Sequence, residues 1–97
     1  MERASIVEKV TGDGTTYNAA CLLWSITLIG GSDASGIIIK DNTAEIWSLS
    51  MIDPGAAGDV TISISFAKPI IINTNLVSDI TGTGAVVYLT YEPIGSE

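Results

Sequence analysis

The 97-residue sequence contains no histidine. That removes the usual base for a serine or cysteine nucleophile and the commonest zinc ligand. Cysteine occurs once, as Cys21, so no disulfide can close within the chain. No basic residue stands next to it in sequence to lower its pKa, and it reads as a structural thiol rather than a reactive one. Positive charge is scarce too: Arg3, Lys9, Lys40 and Lys68 stand against 11 acidic residues, a formal net charge of −7. Such a surface repels phosphates and offers no basic stripe for counterion release, so nucleic acid is not an expected partner. No apolar run is long enough to span a bilayer, and no membrane partner is expected. The opening MERASIVEKV carries charges where a signal peptide needs an apolar core. The expectation is a protein made and kept in a cytosol, or built into something assembled there.

What is present argues for a folded chain. Apolar residues make up 46% of the sequence and charged residues 15%, well away from the composition of disorder. The length suits one domain spanning residues 1–97, with 1–10 as a candidate N-terminal arm. Ser5 to Val10 alternates weakly, and Gly12-Asp13-Gly14 turns the chain into Thr15-Thr16-Tyr17. From Ala19 to Ile29, the residues Ala20, Leu22, Trp24, Ile26 and Leu28 share a wholly apolar face, expected to be core. Gly30-Gly31-Ser32-Asp33 ends that strand, Gly36 to Lys40 forms the next, and Asp41-Asn42 reads as a turn. Thr43 to Met51 is apolar but irregular, and Asp53 to Gly58 reads as a loop.

The second half is more regular. Val60, Ile62, Ile64 and Phe66 alternate with polar residues, as a half-buried strand should. Pro69 opens Ile70-Ile71-Ile72, and a strand carrying Leu76 and Ile80 follows. In the last strand Ala85, Val87, Leu89 and Tyr91 fall on every second position. The intervening Thr81-Gly82-Thr83-Gly84 has the length of a β-hairpin connection. About eight short strands with no helical periodicity predict an all-β, antiparallel β-sandwich with the strand count of a jelly roll.

No constellation of reactive residues emerges. A glycosidase needs only two acids, but nearly all acids here sit in turns or on polar strand faces, so an enzyme is not expected. Asp13, Asp33, Asp41, Asp53 and Asp59 lie in or beside loops and offer oxygen ligands of the kind calcium takes. They lack any EF-hand or repeat spacing and read as turn formers. Gly82-Thr83-Gly84 is followed by a strand rather than the helix a phosphate loop requires. No cofactor and no metal is expected.

The outward apolar residues carry more information. If Ile37, Ile39, Ile70, Ile72, Val87 and Leu89 point inward, then Ile38, Ile71, Val86 and Tyr88 point outward. Trp47, in the irregular strand, is a further candidate for exposure. Clustered outward aliphatics mark partner surfaces, so these five residues are the expected oligomer or partner interface.

Several segments together resemble small structural proteins of tailed bacteriophages. They are Cys21 to Ile26, Gly30-Gly31-Ser32-Asp33-Ala34, Gly36 to Asp41, Phe66-Ala67-Lys68-Pro69-Ile70, and Leu76 through Ile80-Thr81-Gly82-Thr83-Gly84-Ala85 to Tyr91-Glu92. The likeness is a pattern of strands and turns over roughly Ala20 to Glu92, and it lapses at Thr43 to Gly58, around Trp47 and Asp53-Pro54-Gly55. It implies a non-enzymatic virion component that decorates or cements the capsid, partnered by copies of itself as a homotrimer and by the major capsid protein or other virion proteins. The alternative is a carbohydrate-binding or host-adhesion module of a head fibre or tail, for which Tyr17, Trp47, Tyr88 and Tyr91 are the candidate aromatics.

Overall fold

Alternation in the sequence emerges as eight strands in a computed structural model that describes residues 5–51 and 60–94. They are β1 (Ile6–Val10), β2 (Gly14–Tyr17), β3 (Cys21–Ile29), β4 (Ser35–Asp41), β5 (Ala44–Met51), β6 (Thr61–Ile72), β7 (Leu76–Thr81) and β8 (Val86–Pro93). One sheet, A, has the order β1-β8-β3-β6 and the other, B, the order β2-β7-β4-β5. Every pairing is antiparallel. Strand 1 pairs with 8, 2 with 7, 3 with 6 and 4 with 5. That is one long hairpin, bent about the β4–β5 turn and rolled into two layers. The connectivity is that of a jelly roll, as the strand count suggested.

The core lies between the layers. Leu23, Ile26 and Leu28 of β3 and Val87, Leu89 and Tyr91 of β8 face Ile37 and Ile39 of β4 and Leu76 of β7, all buried. Each aliphatic side chain so buried contributes about 1.5–3 kcal/mol relative to its exposed state. Ala85, Val87, Leu89 and Tyr91 are all buried, as their alternation predicted.

Several expectations need correction. Thr81 to Gly84 does not close a hairpin, because β7 lies in sheet B and β8 in sheet A. The connection is an arch between layers, with Gly82 at φ 108° and Gly84 at φ 79° turning the chain where a side chain would be strained. Among the described strands, consecutive ones share a sheet only at β4–β5, joined through Asn42-Thr43 with Asn42 at φ 60°. The face expected to be core in β3 is right for Ile26 and Leu28 but wrong for Leu22 and Trp24, which are half-buried while Cys21 and Leu23 are fully buried. The register shifts between Leu23 and Ser25 against both neighbouring strands, and this bulge at Trp24 exchanges the two faces. Ile70 to Ile72 is not a separate strand but the end of the 12-residue β6, which passes through Pro69. β6 is a sheet edge, where a missing N–H is tolerated. The arm expected at the N-terminus is, from Ile6 to Val10, the edge strand β1 of sheet A. The loop Asp53 to Gly58, with Asp59 beside it, lies outside the described residues, as does Met1 to Ala4.

Loops at both ends of the sandwich are tied by carboxylates and backbone. At one end the Gly30–Asp33 turn meets the Gly82–Gly84 arch: Ser32 N donates to Thr83 O (2.8 Å), Thr83 N donates to Asp33 Oδ1 (2.7 Å), and Thr83 Oγ1 donates to Asp33 Oδ2 (2.9 Å). Gly31 N donates to the buried Ser35 hydroxyl (2.9 Å), and a Cβ on Gly31 would overlap the Thr83 carbonyl. Asp13 accepts from Ile80 N at 2.7 Å. At the other end Asp41 accepts from Asn73 N and Thr74 N, each at 2.9 Å.

Candidate functional site

The five residues expected to form an interface do not form one surface. Ile38 lies on the outer face of sheet B, opposite Ser48 on one side and Asp79 on the other. Asp79 in turn holds Lys40 at 2.6 Å, so Ile38 stands in polar surroundings. Ile71, Val86 and Tyr88 lie on the outer face of sheet A, on the far side of the molecule. Trp47 belongs to neither face. It turns toward the interior of the sandwich, half-buried, and meets Phe66 edge-on with ring centroids 5.6 Å apart and planes at 87°. The reason is the strand's position: β5 lies opposite β6 at one side of the roll, and an indole there closes the core.

On sheet A the apolar residues fall at two ends of the face. Val86 pairs with Ile29, and Ile71 pairs with Leu22, which is followed across the sheet by Glu92. Trp24, at the bulge, donates its indole N–H to Glu92 Oε1 at 3.2 Å. Between the two apolar spots runs a polar band, with Tyr88 opposite Thr27 and Lys9, and Thr27 bonded to Ser63 at 3.0 Å. The sequence pattern gave the outward direction of these side chains correctly, but not their separation.

No family model, curated protein or solved structure matches the chain. Its chemistry therefore rests on the residues themselves. Among the described residues no pocket is formed, and no group of acids, histidines or cysteines is spaced to hold a metal ion. The described aspartates Asp13, Asp33 and Asp41 are occupied as acceptors of backbone N–H groups distant in sequence, from Ile80 of β7, from Thr83, and from Asn73 and Thr74. Those bonds hold the Asp33 and Asp41 carboxyls below the usual carboxylate range. Asp53 and Asp59 lie outside the described residues. Burial pushes the Cys21 thiol up to about 11, with the Asp41 carboxylate adding to the effect, so little thiolate exists at neutral pH. Tyr91 is raised as well, first by burial and then by the bond its hydroxyl donates to Glu8 Oε1 at 2.8 Å.

Sequence reasoning saw the weak alternation of Ser5 to Val10 but did not single out Ile6 and Val7 as exposed apolar residues. Val7 is 65% exposed, the highest value among the large apolar side chains described, and Ile6 beside it is 37% exposed. Both lie on an edge of sheet A, away from the rest of the exposed aliphatics on its face. The signal was available: in IVEKV, apolar residues occupy both faces of a strand too short to be covered on each side.

Proposed function

We propose that this protein is a non-enzymatic structural component of a tailed-bacteriophage virion, decorating or cementing the capsid shell. The observation that carries the reading is the interlock of the two turns on which the phage resemblance rests. Gly30-Gly31-Ser32-Asp33 and Thr81-Gly82-Thr83-Gly84 lie 50 residues apart in sequence at Asp33 and Thr83, yet they bind each other through four hydrogen bonds. The two turns are therefore one structural unit, and they are the segments on which the proposed resemblance rests. Jelly rolls occur in viral capsid and lectin domains, which supports the reading by analogy of fold alone. A net charge of −7 favours solubility at the concentrations that assembly requires.

The mechanism is stabilisation by mass action. A subunit that binds the assembled shell, and bridges neighbouring shell subunits, favours that shell over its expanded or ruptured forms. The fold analogy extends equally to lectins, but the aromatics named for an adhesion module do not gather on one surface. Tyr17 and Tyr91 meet at 5.3 Å with their planes tilted by 41° and Tyr91 buried, and Trp47 faces Phe66, so of these four only Tyr88 lies on an outer sheet face, which half-buried Trp24 shares. The test is to band particles from a lysate that expresses the chain and identify their proteins by mass spectrometry. The chain is expected in intact particles at a fixed ratio to the major capsid protein. Its absence from particles, with the protein abundant in the soluble fraction, would overturn the proposal.

A further inference from the structure

Each sheet has two edges, and an unpaired edge strand is a template for another strand unless something blocks it. Three of the four edges are slipped, bulged or interrupted by proline. β2 is four residues long, and its pairing with β7 slips between Thr15 and Tyr17. β5 bears Glu45 and a register shift opposite Ile39 and Lys40. β6 holds Lys68, Pro69 and the bulge opposite Trp24. β1 carries charge as well, Glu8 and Lys9, but no slip, bulge or proline. It pairs with β8 in unbroken register from Ile6↔Tyr91 to Val10↔Val87, contains no proline, and among the described residues no strand lies on its outer side. It also carries Val7, 65% exposed.

We propose that β1 pairs antiparallel with β1 of a second copy, about a two-fold axis through Val7, joining two A sheets into one continuous sheet. The occupant is argued from the charges on the strand. A two-fold axis perpendicular to the sheet places residues of the same face opposite each other, so the central registers are those centred on Val7, Glu8 or Lys9. Centring on Glu8 or Lys9 sets two like charges directly opposite, which is destabilising. Centring on Val7 packs the two exposed valines together, sets Lys9 opposite Ser5 of the other copy, and sets Ile6 opposite Glu8. The register centred on Val7 is thus the central one that sets no like charges directly opposite each other. A closed two-fold pair also satisfies the edge without propagating into a fibre. This deepens the assembly reading by naming the contact, and it favours two copies where the phage resemblance implies three.

The test is solution mass by light scattering over a range of concentrations, for the wild-type chain and for Val7→Lys. Val7 is exposed and its side chain makes no core contact, so the variant should keep the wild-type circular dichroism. The wild type is expected to rise from one chain mass toward two with concentration, and Val7→Lys to stay at one. Oxidised Val7→Cys should give a covalent dimer on a non-reducing gel. Lys9→Cys should not, since its two copies would sit about 13 Å apart along the strands. A wild type that stays at one chain mass overturns the pairing while leaving virion incorporation untouched. A trimer insensitive to Val7→Lys overturns it as well, and supports self-association by another surface.

Discussion

Two buried serines should respond to the same substitution with opposite signs. Ser35 and Ser78 are 3% and 0% exposed. The Ser35 hydroxyl accepts from Gly31 N at 2.9 Å and donates to Asp33 O at 3.0 Å, holding the turn that meets the Gly82–Gly84 arch. Ser35→Ala leaves the buried Gly31 N–H without its acceptor, at a cost of about 1–3 kcal/mol. The Ser78 hydroxyl faces the core from the middle of β7 and has no hydrogen-bond partner. Desolvating it already costs about 1–3 kcal/mol, which Ser78→Ala removes, offset by a few tenths for lost packing of one oxygen. We expect Ser78→Ala to stabilise by about 1 kcal/mol. For a domain of this size each kcal/mol moves Tm by roughly 4–8 °C, so the two variants should lie on either side of the wild type and differ by about 8 °C or more. Thermal unfolding followed by circular dichroism at pH 7 is sufficient. If Ser78→Ala lowers Tm as Ser35→Ala does, the hydroxyl is satisfied and the reasoning fails.

Gly31→Ala forces a Cβ into the Thr83 carbonyl and should cost about 1–3 kcal/mol or more, whereas Gly12→Ala, in open space, should stay within about 0.5; urea midpoints decide between them. Trp47→Ala removes the edge contact with Phe66 and should cost about 2–3 kcal/mol, against about 1 or less for Tyr88→Ala, as read from the same denaturation series. Acid should weaken the fold through Asp33 and Asp41, whose folded pKa values lie below the unfolded value of about 3.9. Their contribution is complete above that pH and is lost as pH falls through and below it. Asp33→Asn with Asp41→Asn should therefore flatten the dependence of Tm on pH below about pH 4, and an unchanged slope would exclude these two groups as its source.

How much of this was legible follows from where polar residues mark the faces. In Ile62 to Phe66 the polar neighbours fix the phase and the burial agrees, although Val60 just before the strand is exposed; in Ala85 to Tyr91 the alternating positions are buried as expected. In Cys21 to Ile29 the first four residues are apolar on both faces, so the bulge at Trp24 left no trace in the alternation. The Gly82–Gly84 arch looked like a hairpin because length and glycine content are the same for both; what separates them is the pairing of β8 with β1, some 80 residues away. Trp47 was misplaced for a related reason. An irregular strand gives no phase, and the facing Phe66 is not a sequence neighbour. The interface candidates were read one strand at a time, so their direction was accessible. Their distribution over two opposite faces depends on sheet order, which short-range patterns do not encode.

Binding to a capsid shell is the activity proposed for this protein. The most direct measurement adds the purified chain to particles assembled without it, then follows co-sedimentation and the temperature of genome release. Saturable co-sedimentation is expected, with a release temperature that rises with protein concentration until the sites are filled. Particles that bind none of the protein at concentrations of tens of micromolar, and release their genome at an unchanged temperature, would contradict it.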